Sequence, residues 1–166
     1  MEEKRKLKLP KHSKLLKLLI AIIPFLIILN IAWFSWRQSY YSRFTDDFNE
    51  TPFSTIWVPR YSKSDPDGFD YSVKYPDWLT FTGNLAVGFT GTEENPVIAG
   101  LVIWPKLSGC YEYGVIIGSN EEKGYMFYID ANGNAFDREY QEISEKYKST
   151  ITAMLSKAKD MWEELA

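Results

Sequence analysis

The side chains that could do chemistry in this 166-residue chain are almost all carboxylates. Asp65-Pro66-Asp67-Gly68-Phe69-Asp70 places three of them within six residues, around a glycine that permits a tight turn. Hard oxygen ligands on a turn suit Ca²⁺, so Asp65, Asp67 and Asp70 are the candidate metal ligands. A calcium loop needs a longer ligand series, which is missing here, and a solvated turn is therefore the expected reading. Asp130-Ala131-Asn132-Gly133-Asn134 also alternates oxygen-bearing residues. Its glycine stands fourth rather than sixth, and Gln141 occupies the twelfth place, where calcium binding calls for Glu. Asn132-Gly133 between apolar segments reads better as a type I′ hairpin turn.

Other chemistries lack their residues. The single histidine, His12, lies in the N-terminal tail, which removes His-based nucleophilic schemes and His zinc sites from the rest of the chain. Cys110 is the only cysteine, so no internal disulfide forms, and its expected place is as a small buried side chain. Neither a phosphate-cradling glycine loop nor a nucleophile elbow is present. A pair of carboxylates in a cleft is the residual enzymatic scheme. No catalytic residue, no cofactor and no enzyme are expected.

The elements that position these residues begin with Leu18 to Trp36, 19 positions without a charge. As a helix this run is about 28 Å long, close to the roughly 30 Å hydrocarbon core of a bilayer. The tail before it carries Lys4, Arg5, Lys6, Lys8, Lys11, Lys14 and Lys17 against Glu2 and Glu3. Excess Lys and Arg stays on the cytoplasmic side, so the expected topology is N-terminus in, C-terminus out. Trp33, Trp36, Tyr40 and Tyr41 are expected at the outer membrane interface, where rings with one polar end are favoured. The run ends in bulky residues where a cleavage site wants small ones, which favours a retained signal anchor over a cleaved signal peptide. No cysteine follows it, which excludes a lipoprotein anchor. Asn30 is the polar residue at bilayer depth, and Pro24 is tolerable there.

The expected organisation is a basic cytoplasmic tail at 1–17, a transmembrane helix at 18–36, a membrane-proximal stalk at 37–55 and an extracytoplasmic α+β domain at 56–166. Removing the tail's seven basic and two acidic residues leaves 12 and 20, a net charge of −8. Such a domain repels phosphate backbones, and no nucleic-acid partner is expected.

Within the domain, turn-rich stretches alternate with apolar runs. Phe69 to Tyr75 alternates strictly, as a strand with one wet face does. Val97 to Trp104 is a nearly continuous apolar run, as expected of a strand covered on both faces. Ile56-Trp57-Val58 is a candidate first strand. Trp57, Trp78, Trp104, Tyr111, Tyr113, Tyr125 and Tyr128 could form a binding face and are expected mainly in the core. From Asp137, the expected N-cap with Asn134 as the alternative, apolar residues fall at Tyr140, Ile143, Tyr147, Ile151, Met154, Ala158, Met161 and Leu165, one stripe of a helix. A helix over 137–165 spans about 43 Å, against roughly 20–24 Å for the strands. Half or more of it would then overhang the sheet, bend around it or meet a partner; Ile143, Tyr147, Ile151, Met154, Met161 and Leu165 are the face concerned, expected to pack on its own sheet before a partner.

The expected fold class is therefore α+β: an N-terminal single transmembrane helix, then an antiparallel β-meander of five or six strands with a long C-terminal amphipathic helix. The expected role is a membrane-anchored, non-catalytic interaction domain at the plasma membrane, an accessory subunit of a bacterial envelope complex. Its expected partners are the membrane and other envelope proteins, or further copies of itself. A cell-surface ligand- or toxin-binding protein, an immunity factor or sensor, is the alternative.

Overall fold

The computed structural model describes residues 12–92, 95–119 and 124–165. Two compact units divide at Ser39. In the first, helix α1 runs from His12 and ends at Tyr41. The stretch Lys17–Phe44 is long and apolar enough to cross a membrane. Large apolar side chains from Leu18 to Ile31 are exposed on all sides of the helix. Pro24 lies inside the helix without ending it. Asn30 donates its side-chain amide to the Leu26 carbonyl at 2.8 Å, so its polar group is satisfied within the helix. The Arg37 guanidinium sits 4.8 Å from the Trp33 ring centre and 4.6 Å from that of Phe34. Lys14 and Lys17 belong to α1, whereas Lys4, Arg5, Lys6, Lys8 and Lys11 lie outside the described residues.

The second unit, Tyr40–Ala166, is a meander. Among the described residues seven strands pair antiparallel in chain order: β1 Asn49–Glu50, β2 Arg60–Ser64, β3 Phe69–Lys74, β4 Asn84–Thr92, β5 Asn95–Pro105, β6 Tyr111–Ser119 and β7 Tyr125–Ile129. That exceeds the five or six expected. The first two were missed for a physical reason: β1, the edge strand, has two residues, and β2, paired between β1 and β3, is short and polar, so neither leaves an apolar run to read. Ile56 and Trp57, expected as a strand, stand exposed on the loop between them. Residues 40–55 are not a free stalk, since Phe44 is buried and β1 pairs with β2.

Three of the hairpin connections share one construction. Gly68, Gly109 and Gly133 have φ of +86°, +81° and +82°, and each donates its N–H to the carbonyl three residues earlier. Asp65, Lys106 and Asp130 then close the loop by donating to the carbonyl four residues later. This is a type I turn followed by a left-handed glycine. Asn132 does not have positive φ, so the type I′ turn expected at Asn132-Gly133 is replaced by this form.

Asp130 rigidifies its turn by accepting from the N–H of Asn132 at 2.9 Å, the N–H of Asn134 at 2.8 Å and the Asn134 side-chain amide at 2.9 Å. The Asn134 N–H, foremost among these, holds the carboxyl below its ordinary value of 3.8. A depressed aspartate stabilises the fold above its unfolded value, and that contribution is lost as pH falls through the folded one. Asp130→Ala is expected to cost about 1–2 kcal/mol at pH 7. Denaturant titrations of both proteins at descending pH check this, because the gap between them must shrink as pH drops below 3.8.

The sheet buries one face. Tyr71, Val73, Leu85, Val87, Leu101, Ile103, Val115, Ile117, Phe127 and Ile129 point to one side and are buried. Fully burying one such side chain stabilises by about 1.5–3 kcal/mol. Against them lies α3, Lys148–Met161, which seats Ile151, Met154, Leu155 and Ala158 over β4 and β5.

The single C-terminal helix expected from 137 to 165 is broken. A 3-10 turn at Arg138–Tyr140 leads to α2, Gln141–Lys146, then to a bend at Tyr147 (φ −107°, ψ 19°) and to α3. Asp137 makes no side-chain cap. Ser144 donates its hydroxyl to the Gly133 carbonyl at 2.8 Å, and this tie sets α2 against the β7 turn. The 14 residues of α3 extend about 21 Å, which matches the strands. Nothing overhangs. Of the stripe, Ile151, Met154 and Leu165 are buried in their own domain, as packing on its own sheet requires, whereas Ile143, Tyr147 and Met161 are half-buried.

Candidate functional site

The opposite face of the sheet is apolar and open. Val97 to Trp104 was expected to be covered on both sides, but Ile98 on this face is 56% exposed. Ile116, Met126 and Tyr128 on β6 and β7 share the face, and Phe136 follows β7; these five are between 45% and 67% exposed. The registers place Gly88, Gly100, Ile116 and Met126 in one row across β4 to β7, and Ala86, Val102, Gly114 and Tyr128 in the next. The Trp104 ring lies over Gly114, where an added Cβ would stand 2.9 Å from Trp104 Cζ3, and Trp104 and Tyr128 lean together at 5.7 Å. Above Gly100 there is open space. Taking about 200 Å² for a large side chain in water, the five residues expose roughly 550 Å². This is at the upper end of the largest apolar patch on a typical monomer, and such patches are often functional.

At the end of β6 and β7 a shallow groove of about 610 Å³ is lined by Glu112 and Tyr128 from the open face, by Tyr111 and Tyr113 from the core-side face of β6, and by Phe136 and Asp137. Glu112 accepts an ion pair from Lys106 at 2.6 Å. Burial pushes the Tyr111 and Tyr113 hydroxyls up, so both remain protonated donors at neutral pH. Aromatic walls with carboxylates suit a cationic group. They offer no nucleophile with an adjacent base.

The residues expected to act are dispersed. The Tyr71 hydroxyl donates to Asp65 at 3.2 Å, Asp67 is ion-paired with Lys157, and Asp70 accepts from the Ser64 hydroxyl at 2.5 Å. The Lys157 ammonium holds the Asp67 carboxyl below the usual range. Each carboxylate thus serves its own local bond. Among the described residues no group of three His, Cys, Asp or Glu side chains is arranged to hold a metal ion. Cys110, expected to be buried, is exposed beside the β5–β6 turn. Tyr41, expected at the membrane interface, is fully buried in the second unit, and Tyr40 donates to the Lys106 carbonyl at 3.3 Å.

None of the seven aromatics assigned to the core is fully buried. Trp57, Trp78 and Tyr128 are exposed, and Trp104, Tyr111, Tyr113 and Tyr125 are half-buried. The core rings are instead Tyr41, Phe44, Tyr71, Tyr75, Phe127 and Trp162. Ile98, Ile116, Met126 and Phe136 were not singled out from the sequence. The signal was present, because the run at 97–104 is apolar on both faces while the sequence supplies one amphipathic segment to cover one of them. No protein-family model, curated protein or solved structure matches this chain.

Proposed function

We propose that the chain is a single-pass plasma-membrane protein, N-terminus in and C-terminus out, whose outer domain is a non-catalytic interaction module of a bacterial envelope complex. The open apolar face is the observation that carries this reading: a folded domain that has already buried its core keeps a second, uncharged surface ready for a partner. The long apolar α1 and the basic excess before it support the anchored topology. Full-length protein tagged at the C-terminus and extracted in mild detergent is expected to emerge in a stoichiometric complex, and Met126→Asp is expected to dissolve that complex. Recovery of a strict monomer without companions would refute the proposal.

The groove beside Tyr111 and Phe136 favours a second reading, a receptor for a small cationic ligand. Titration with a quaternary ammonium compound such as choline should then raise the melting temperature and quench tyrosine fluorescence. An unchanged melting temperature at millimolar ligand removes this reading.

A further inference from the structure

We propose that the open face docks on the same face of a second copy of this chain, about a two-fold axis parallel to the strands and passing between β5 and β6. This rests on the interaction reading above and names its partner. The argument lies in the registers. Across β5 and β6, Ile98 stands beside Gly118, and Gly100 beside Ile116. One strand further out, Gly88 extends the row from Gly100, and Met126 extends it from Ile116. A two-fold axis in this place carries β5 over β6 of the second copy, and β4 over its β7, while keeping position along the strands. Ile116 then meets Gly100 of the second copy, Met126 meets Gly88, Ile98 meets Gly118 and Tyr128 meets Ala86. In each pair a large side chain lands where the other copy has little or none. Such self-complementarity is what an isologous interface requires.

Gly88 and Gly100 have no competing explanation in the fold, whereas an added Cβ on Gly118 would stand 3.2 Å from Gly124 Cα. Neither Gly88 nor Gly100 has positive φ, and glycine weakens a strand interior. A Cβ on Gly100 would touch nothing within 4 Å, and one on Gly88 would meet only Asp70 atoms at 3.6 and 3.7 Å. Both notches are therefore empty within one copy, unlike Gly114 beneath Trp104.

Area and charge agree with this occupant. Two copies covering the five exposed side chains remove roughly 1,100 Å² from water, above the approximately 1,000 Å² that a specific interface should clear. Val102 and Trp104, half-buried, add to it. Between β4 and β7 the charged side chain on these rows is Glu112, and Lys106 neutralises it at 2.6 Å. Asp70 on β3 borders the row beside Gly88, and the contact rows on β4 to β7 are otherwise apolar, so the face selects an apolar partner. Two sheets stacked this way form a sandwich with about 10 Å between them, and each α3 lies on the outside.

The test uses the full chain in nanodiscs or mild detergent, with Cys110→Ser as background. Its mass by light scattering and sedimentation is expected to be that of a dimer. Ile116→Asp should yield monomer. Gly100→Val fills the notch without a clash inside one copy, so it should leave the melting temperature unchanged or higher while raising the dimer dissociation constant at least tenfold. Differently tagged Gly88→Cys and Met126→Cys copies, joined by a short bismaleimide, should give mixed adducts at least tenfold above either same-site adduct, because the axis superposes 88 on 126 and separates each from its own counterpart. A monomeric wild type, a dimer that survives both face variants, or a predominance of same-site adducts would overturn the inference. If the wild type binds a different protein and loses it on Ile116→Asp, the second copy is wrong and the interaction module stands. A monomer without any companion ends both.

Discussion

Gly83→Ala is expected to lower stability by about 3 kcal/mol or more, a large effect for adding one methyl group. The residue is buried between β3 and β4, and an added Cβ would stand 2.2 Å from the Lys74 carbonyl oxygen, 2.9 Å from the Tyr41 ring and 3.0 Å from the Pro76 nitrogen. Two of those three atoms are backbone and cannot rotate away. The Gly83 N–H also donates to the Tyr41 hydroxyl at 2.7 Å. Relief of the clash therefore breaks a buried hydrogen bond and disturbs the tilted contact of Tyr41 with Tyr75, ring centres 5.3 Å apart. Tyr41→Phe separates the two effects. It removes the acceptor, keeps the ring, and should cost about 1–2 kcal/mol. Urea unfolding of the full chain in detergent measures both. A loss below about 1 kcal/mol for Gly83→Ala would mean that the β3–β4 loop does not close around this residue.

The same close approach shows why part of the fold was unreadable from sequence. Thr82-Gly83-Asn84 is recognisable as a turn, and it does lead into β4. Nothing in the string says that Tyr41, 42 positions earlier, supplies the hydroxyl that the Gly83 N–H needs. Local pattern was legible wherever it is carried by alternation or by turn glycines. The strand from Phe69, the turns at Gly68 and Gly133 and the chain-order pairing of β3 to β7 all follow from such signals. What failed depended on long-range contact. Tyr41 was assigned to the membrane interface because it follows an apolar run, yet Tyr75 and Gly83 draw it into the core. The helical stripe ran unbroken to Leu165 because a one-residue shift in phase changes few of its spacings. The open face was hidden by the assumption that an apolar strand must be covered within its own chain.

That phase shift has a measurable consequence at Trp162, which the stripe omitted. The helix ends at Met161, and Trp162 takes an extended backbone (φ −127°, ψ 95°). The turn of the chain swings its indole inward, leaving it 2% exposed while Met161 is half-buried. Its Nε1–H donates to the Phe44 carbonyl at 3.0 Å, Tyr71 meets it edge-on at 6.0 Å and Phe48 stacks on it at 6.2 Å. One side chain thus fastens the end of the second unit to its beginning, across 118 positions of sequence. Trp162→Ala is expected to cost about 3–5 kcal/mol, since it leaves a ring-sized cavity and a buried carbonyl without its donor. Trp162→Phe retains much of the ring volume and should cost about 1–2 kcal/mol, chiefly for the carbonyl. Unfolding curves followed by circular dichroism avoid the lost indole fluorescence. If the two variants cost the same, the hydrogen bond dominates and the packing against Tyr71 and Phe48 is incidental. If both cost below about 1 kcal/mol, the segment after Met161 frays, and α3 holds its place on the sheet through Ile151, Met154, Leu155 and Ala158 alone.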